Sequence, residues 1–193
     1  CLDGESSFGP PSQVDMMDTR IEQLRNSSGE ADTHGLSNEL VDSFLKIDPN
    51  LNIALDLAIK ARENLDDEVE DLLVSLNESQ FARELQKDFV NFYEPSTVNP
   101  YIPLAAKGPW IITTHGAVVH DNGGYGMLGM GHDPTEVMSS MSKSHVMANV
   151  MTPSVTHKRF ADTLKREVGH TRGACPFDRF ICMNSGSESV TVA

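Results

Sequence analysis

Apolar residues return at three- and four-residue steps through most of the first ninety positions. Met16, Met17, Ile21 and Leu24 form one stripe, Leu36, Leu40, Phe44 and Ile47 a second, and Leu51, Ala54, Leu55, Ala58 and Ile59 a third. Val69, Leu72, Leu73 and Leu76 follow, then Phe81, Leu85 and Phe89. This period predicts amphipathic helices with solvated polar faces, and Ser27-Ser28-Gly29 through Gly35 reads as the loop between the first two. No repeat of fixed length relates the stripes, so a helical solenoid is not predicted. Residues Cys1 to Gln13, with Gly4, Gly9, Pro10, Pro11 and three serines, read as a mobile lead-in.

The pattern changes at Glu94-Pro95-Ser96, where three prolines up to Pro103 favour an extended arm. Trp110-Ile111-Ile112-Thr113-Thr114 and Ala117-Val118-Val119-His120, separated by His115-Gly116, predict a β-hairpin. A glycine-dense loop then runs from Asp121-Asn122-Gly123-Gly124 to Gly131-His132. Asp133-Pro134 starts a helix to about His145, and Thr152-Pro153 launches another whose Phe160, Leu164 and Val168 share one face before Gly169 stops it. Phe177 to Met183 reads as a buried strand that delivers the chain to Asn184-Ser185-Gly186-Ser187-Glu188-Ser189. The predicted fold class is α/β, divided into an acidic helical region over 1–93, an arm, hairpin and Gly-rich loop over 94–151, and a further segment over 152–193.

Charge sharpens that division. Of 28 acidic residues 20 lie at or before Asp88, against 7 of the 15 basic ones, so the whole net charge of −13 sits there and eight of each sign remain. Such a field repels phosphate backbones and argues against nucleic acid as a partner. No apolar run reaches the roughly 18 to 20 residues of a membrane helix, so no membrane partner is expected. Cys1, Cys175 and Cys182 show neither metal spacing nor a disulfide ladder, which makes a reducing, cytoplasmic location the expectation.

Chemistry concentrates in the last segment. A strand turning through Ser185-Gly186-Ser187 into a helix would present amides and hydroxyls at a positive helix end, an arrangement that binds phosphate. Ser185 also stands three residues before Glu188, the spacing of a capping box that needs no ligand, and both readings stay open on spacing alone. A P-loop is excluded because no lysine follows Lys165. Gly124-Tyr125-Gly126-Met127-Leu128-Gly129 matches a dinucleotide fingerprint by letter, yet no helix starts inside it and no acidic residue lies between Glu136 and Asp162. The seven histidines show no ligand spacing and read as scattered loop residues, the methionines as core filler, and Cys182, alternating with Phe180, as inert core.

The order of hairpin, Gly131-His132-Asp133-Pro134, Pro-started helix with Phe160-Ala161-Asp162-Thr163-Leu164, strand and Asn184-Ser185-Gly186-Ser187-Glu188-Ser189 resembles the class III pyridoxal-phosphate-dependent aminotransferases, which include the ornithine, 4-aminobutyrate and related ω-aminotransferases. The resemblance covers about Lys107 to Ala193. It implies a fold-type I enzyme, of which this chain would hold the hairpin arm, the first strand of the large, cofactor-binding domain (beginning at 152) and the phosphate turn. Ser185, Gly186 and Ser187 would hold the phosphate of pyridoxal 5'-phosphate. Tyr125, six residues before Gly131, would orient a substrate carboxylate or amine; without the resemblance it reads as a loop tyrosine. Amino donor and 2-oxo acid would be the small-molecule partners, at the interface of a homodimer. His115-Gly116 where the family has Asp-Gly, and Ser189 where it has alanine, leave the subfamily open.

In that family the Schiff-base lysine, the carboxylate on the pyridine nitrogen and the stacking aromatic follow the phosphate turn. No catalytic residue is therefore assigned within this chain: the lysine is expected after Ala193, the chain is expected to be an incomplete piece, and Lys46, Lys60, Lys87, Lys107, Lys143, Lys158 and Lys165 read as solvated. A competing reading treats the acidic helices as an interaction or regulatory module attached to a catalytically degenerate remnant.

Overall fold

The computed structural model describes residues 17–90, 94, 101–122, 129–146, 149 and 151–193. The chain divides into two compact units, one up to Ser142 and one from Lys143.

In the first unit four helices begin where a short polar side chain takes an orphan amide of the first turn. Asp18 accepts from the Arg20 amide ahead of α1 (Thr19–Asn26), Ser37 from Leu40 ahead of α2 (Asn38–Leu45), and Asp48 from Asn50 ahead of α3 (Pro49–Glu63), which has proline in its first turn. α4 (Asp67–Ser75) follows, and α5 (Glu78–Gln86) starts with a capping box between Asn77 and Gln80. Arg20 ties the start of α1 to α3, bonding Asp18 and Asp56 at 2.7 Å each.

The hairpin forms as the sequence predicts: β2 (Trp110–Thr113) pairs antiparallel with β3 (Val118–His120), with Ile112 opposite Val118. A third strand, β1 (Pro103–Lys107), pairs antiparallel with the other edge of β2, giving the order β1-β2-β3. The prolines predict an extended arm before it and no strand, because Pro-Leu-Ala-Ala-Lys carries little intrinsic strand preference and is held by its neighbour. Residues 95–100 of that arm lie outside the described residues.

α3 packs on β1 and β2 as a second layer, with α1 and α2 against α3, while α4 packs with α5. Ile21, Leu24, Val41, Leu51, Ala54, Leu55 and Ala58 share one core with Trp110, Ile112 and Val118. Trp110, 1% exposed, is its centre: the ring meets Phe44 at 4.9 Å and the edge of His120 at 5.0 Å, and Nε1 donates to Asp48 Oδ2 at 2.8 Å. The change of composition at 93/94 therefore does not coincide with a change of core. Helices before it and strands after it bury the same side chains.

α6 (Thr135–Met141) ends earlier than predicted, and Asp133 does not cap it. Asp133 has a left-handed φ of 46°, and its carboxylate and carbonyl instead accept from Lys107 Nζ at 2.8 and 2.6 Å. In the second unit α7 (Val155–Gly169) starts two residues beyond Pro153, capped by Ser154 accepting from the His157 amide at 3.1 Å, and α8 (Gly186–Val192) follows. Between them the predicted buried strand over Phe177 to Met183 is irregular and open to solvent, with Phe177 57% and Ile181 72% exposed. A strand needs a ladder partner for its amides and carbonyls, and no strand exists among the described residues of this unit. Cys182 is accordingly exposed, not core.

Candidate functional site

The Ser185 turn is built by reciprocal capping. Ser185 Oγ accepts from the Glu188 amide at 3.2 Å, while Glu188 Oε2 accepts from the amides of Asn184 and Ser185 at 3.1 Å each. Of the two readings that the spacing left open, the capping box is thus the one realised in the geometry. It leaves room beside it. A Cβ on Gly186 would meet nothing within 4 Å, and the amides of Gly186 and Ser187, which head the helix, make no hydrogen bond to described residues. Ser185 accepts through its oxygen and keeps its own proton to donate.

Whether pyridoxal phosphate fits can be weighed from these groups. The Gly186 position is open, and amides at a helix start beside serine hydroxyls are groups that can bind a phosphate. The Glu188 carboxylate, one residue beyond Ser187, adds a negative charge that such an anion would have to tolerate. Ser185, Gly186 and Ser187 are brought together at one exposed turn; Tyr125 lies outside the described residues. Lys143, Lys158 and Lys165, the lysines of the second unit, are all exposed, and Lys158 pairs with Asp162 on its own helix.

The Gly-His element is anchored to the sheet, which the sequence analysis did not anticipate. Gly108 and His132 exchange backbone hydrogen bonds at 3.0 and 2.7 Å. Gly131 has φ 73°, and a Cβ there would lie 2.9 Å from the Gly108 carbonyl, so glycine is required for the approach. His132 Nε2 lies 2.8 Å from Asp121 Oδ2, which orients the ring. Histidines 132 and 115 are therefore structural participants, contrary to their reading as scattered loop residues; His115, at the hairpin turn, is 1% exposed. The only sequence signal for this was the position of His115 between two apolar strands.

Among the described residues no group of three His, Cys, Asp or Glu is placed to hold a metal ion, and no helix is long and apolar enough to cross a membrane. Comparison with protein-family models, with curated proteins and with solved structures finds no match for this chain.

Proposed function

We propose that this chain contributes the hairpin and the phosphate-binding turn of a class III pyridoxal-phosphate-dependent aminotransferase, an enzyme that exchanges an amino group between an amine or amino acid and a 2-oxo acid. The observation that carries the reading is an order of elements along one chain: the hairpin, the Gly131-His132 element bridged to Gly108, the Ser154-capped helix, and the Ser185-capped helix with an open Gly186. In this reading the Gly186 and Ser187 amides and the Ser185 and Ser187 hydroxyls bind the cofactor phosphate. The bound cofactor supplies the electron sink that labilises a bond at the substrate carbon. The homodimer and Tyr125 as the substrate-side residue belong to the same proposal.

The test is a titration of the full chain with pyridoxal phosphate, followed by the phosphorus resonance of the cofactor. Saturable binding that weakens in Gly186→Val, where a side chain enters the space before the two amides, is the expected result. Ser187→Ala should weaken binding less, since one hydroxyl bond to a charged acceptor contributes roughly 1.5 to 3 kcal/mol while the amides remain. Equal affinity of the Gly186 variant and the parent would reduce the turn to a helix cap.

A further inference from the structure

α4 and α5 are held to the rest of the first unit differently from α1, α2 and α3. The core that joins those three helices to the sheet includes no residue of α4 or α5 among the described residues. Leu73, Phe81 and Ala82 are buried outside it, with the Phe81 ring 6.4 Å from that of His115, centroid to centroid. What fastens the pair is a run of polar bonds. The Gly29 amide donates to the Leu73 carbonyl at 2.8 Å, and the Glu78 amide to that of Glu30 at 2.9 Å. Glu78 Oε2 accepts from the amides of Asp32 and Thr33 at 2.9 and 2.7 Å, and Asp32 Oδ2 accepts in return from the Ser79 amide at 3.0 Å and from its hydroxyl. Arg62 of α3 donates to Glu70 and to the Ser27 carbonyl.

That seam is incompletely satisfied. Glu78, 0% exposed, keeps Oε1 without a partner, as the buried His115 keeps Nε2 and Thr33 keeps Oγ1. Closing the seam takes water from all three atoms and returns no bond, so opening recovers hydration that an apolar core never forfeits. Ionisable groups crowd the same place. Glu78 of α5 and Asp32 of the preceding loop favour a proton on His115, and Arg62 of α3 opposes it. Arg25 of α1, bonded to the neighbouring Gly116 carbonyl at 3.1 Å, and His34 border the cleft that His115 lines, while Arg83 of α5 acts on Asp32. Desolvation nevertheless holds His115 below its ordinary 6.5, and the bonds from Ser79 hold Asp32 below its ordinary 3.8. When the seam parts, both groups return to their ordinary values. The open form then takes up each proton first, so acid favours opening, from 6.5 downward through His115 and from 3.8 downward through Asp32.

We propose that α4 and α5 form an acid-sensitive latch, which opens as one piece along the seam of Glu78, Asp32 and His115 while the core of α1, α2, α3 and the sheet stays folded. Such sub-global opening follows the weakest boundary in a domain, and here that boundary is polar, partly unsatisfied and titratable. Opening uncovers Leu73, Phe81 and His115, which are buried in the closed form, and releases the loop at 29–33 from α5. The latch lies wholly in the first unit, uses no residue of the Ser185 turn, and stands or falls independently of the aminotransferase reading.

The experiment is amide hydrogen exchange of the full chain between about pH 7.5 and 5.5, corrected for the intrinsic rate at each pH. Amides of α4 and α5 are expected to share one opening constant, larger than that of α3 and β2. It should rise as pH falls, by up to about tenfold per unit, the limit for one proton, while α3 and β2 hold. This comparison is made within one molecule and needs no variant. Ser79→Ala, which deletes a hydroxyl bond to Asp32 outside the core, should raise the α4 and α5 opening constant at every pH and leave α3 and β2 unchanged. His115→Gln should abolish the pH step and keep the separate opening. A common opening constant for α3, α4, α5 and β2 would overturn the latch. Separate opening that ignores pH, or a step that persists in His115→Gln, would overturn its acid sensitivity.

Discussion

The two units share an amphipathic vocabulary and differ in whether it is answered. In the first, α1, α2 and α3 turn their apolar faces onto a three-stranded sheet, and Leu51, Leu55, Trp110 and Ile112 are all buried. In the second, α7 has the same helical period, but Phe160, Val155 and Val168 stay exposed, as do Phe177, Ile181 and Val190, and only Gly169 is buried among its described residues. There, a groove of about 530 Å³ runs along Phe160 and Leu164 beside Phe180 and Cys182. Periodicity decides which face of a helix could be buried; burial itself needs a second layer of matching shape.

Trp110→Ala should break the first unit outright. It removes the ring that joins Phe44 to His120 and strips Asp48 of its indole donor, and large aromatic truncations in cores cost about 3 to 5 kcal/mol. Ile181→Ala in the second unit should stay within about 0.5 kcal/mol, as surface substitutions do. Urea melts followed by circular dichroism compare the pair directly, and similar costs would erase the contrast between the units.

Backbone positions give a smaller version of the same contrast. Gly35→Ala should cost about 1 to 3 kcal/mol, because φ is 65° and the added Cβ would collide with Val118 backbone. Gly186→Ala, where nothing lies within 4 Å, should be neutral or slightly stabilising, alanine being the better helix residue. Thermal midpoints of the two variants measure the difference.

The smallest expected effect is a pH dependence confined to the first unit. Desolvation holds His115 below its ordinary 6.5 despite the opposing fields of Glu78 and Asp32. The unfolded chain therefore takes up a proton before the folded one does, so this stability is complete above pH 6.5 and is lost as pH falls from there through the lower folded value. Asp18, lowered mainly by its bond to Arg20, and Asp48, lowered by Trp110 and Asn50 against its own desolvation, add a second loss beginning below 3.8. His115→Phe should flatten the first step of a stability-against-pH curve and leave the second; an unchanged first step would assign it elsewhere.

How much of this was legible varies with the physics involved. The helical period and the Trp110–His120 hairpin could be read because local period and β-branched content specify them without help, whereas the stripes were only partly right: Val41 is buried, and Leu40, Ile47, Leu85 and Phe89 are exposed. The cap of α6 and the start of α7 were misread because Asp133 found Lys107, and because Ser154, not Thr152, supplied the cap bond. At the Ser185 turn the spacing allowed both a phosphate cradle and a capping box, and only the hydrogen bonds of Glu188 showed which one the free chain makes.

The sequence by itself determined the helical period of the first ninety residues and the hairpin, which depend on residues a few positions apart, and the concentration of negative charge up to Asp88. Tertiary structure alone decided the rest. It added β1 to the sheet, joined helices and strands across position 93 into one core, left 177–183 without a strand partner among the described residues, and brought Arg25, Thr33 and His115 to one cleft from positions up to ninety apart. Those outcomes rest on ladder partners, shape and desolvation, which exist only once distant segments meet.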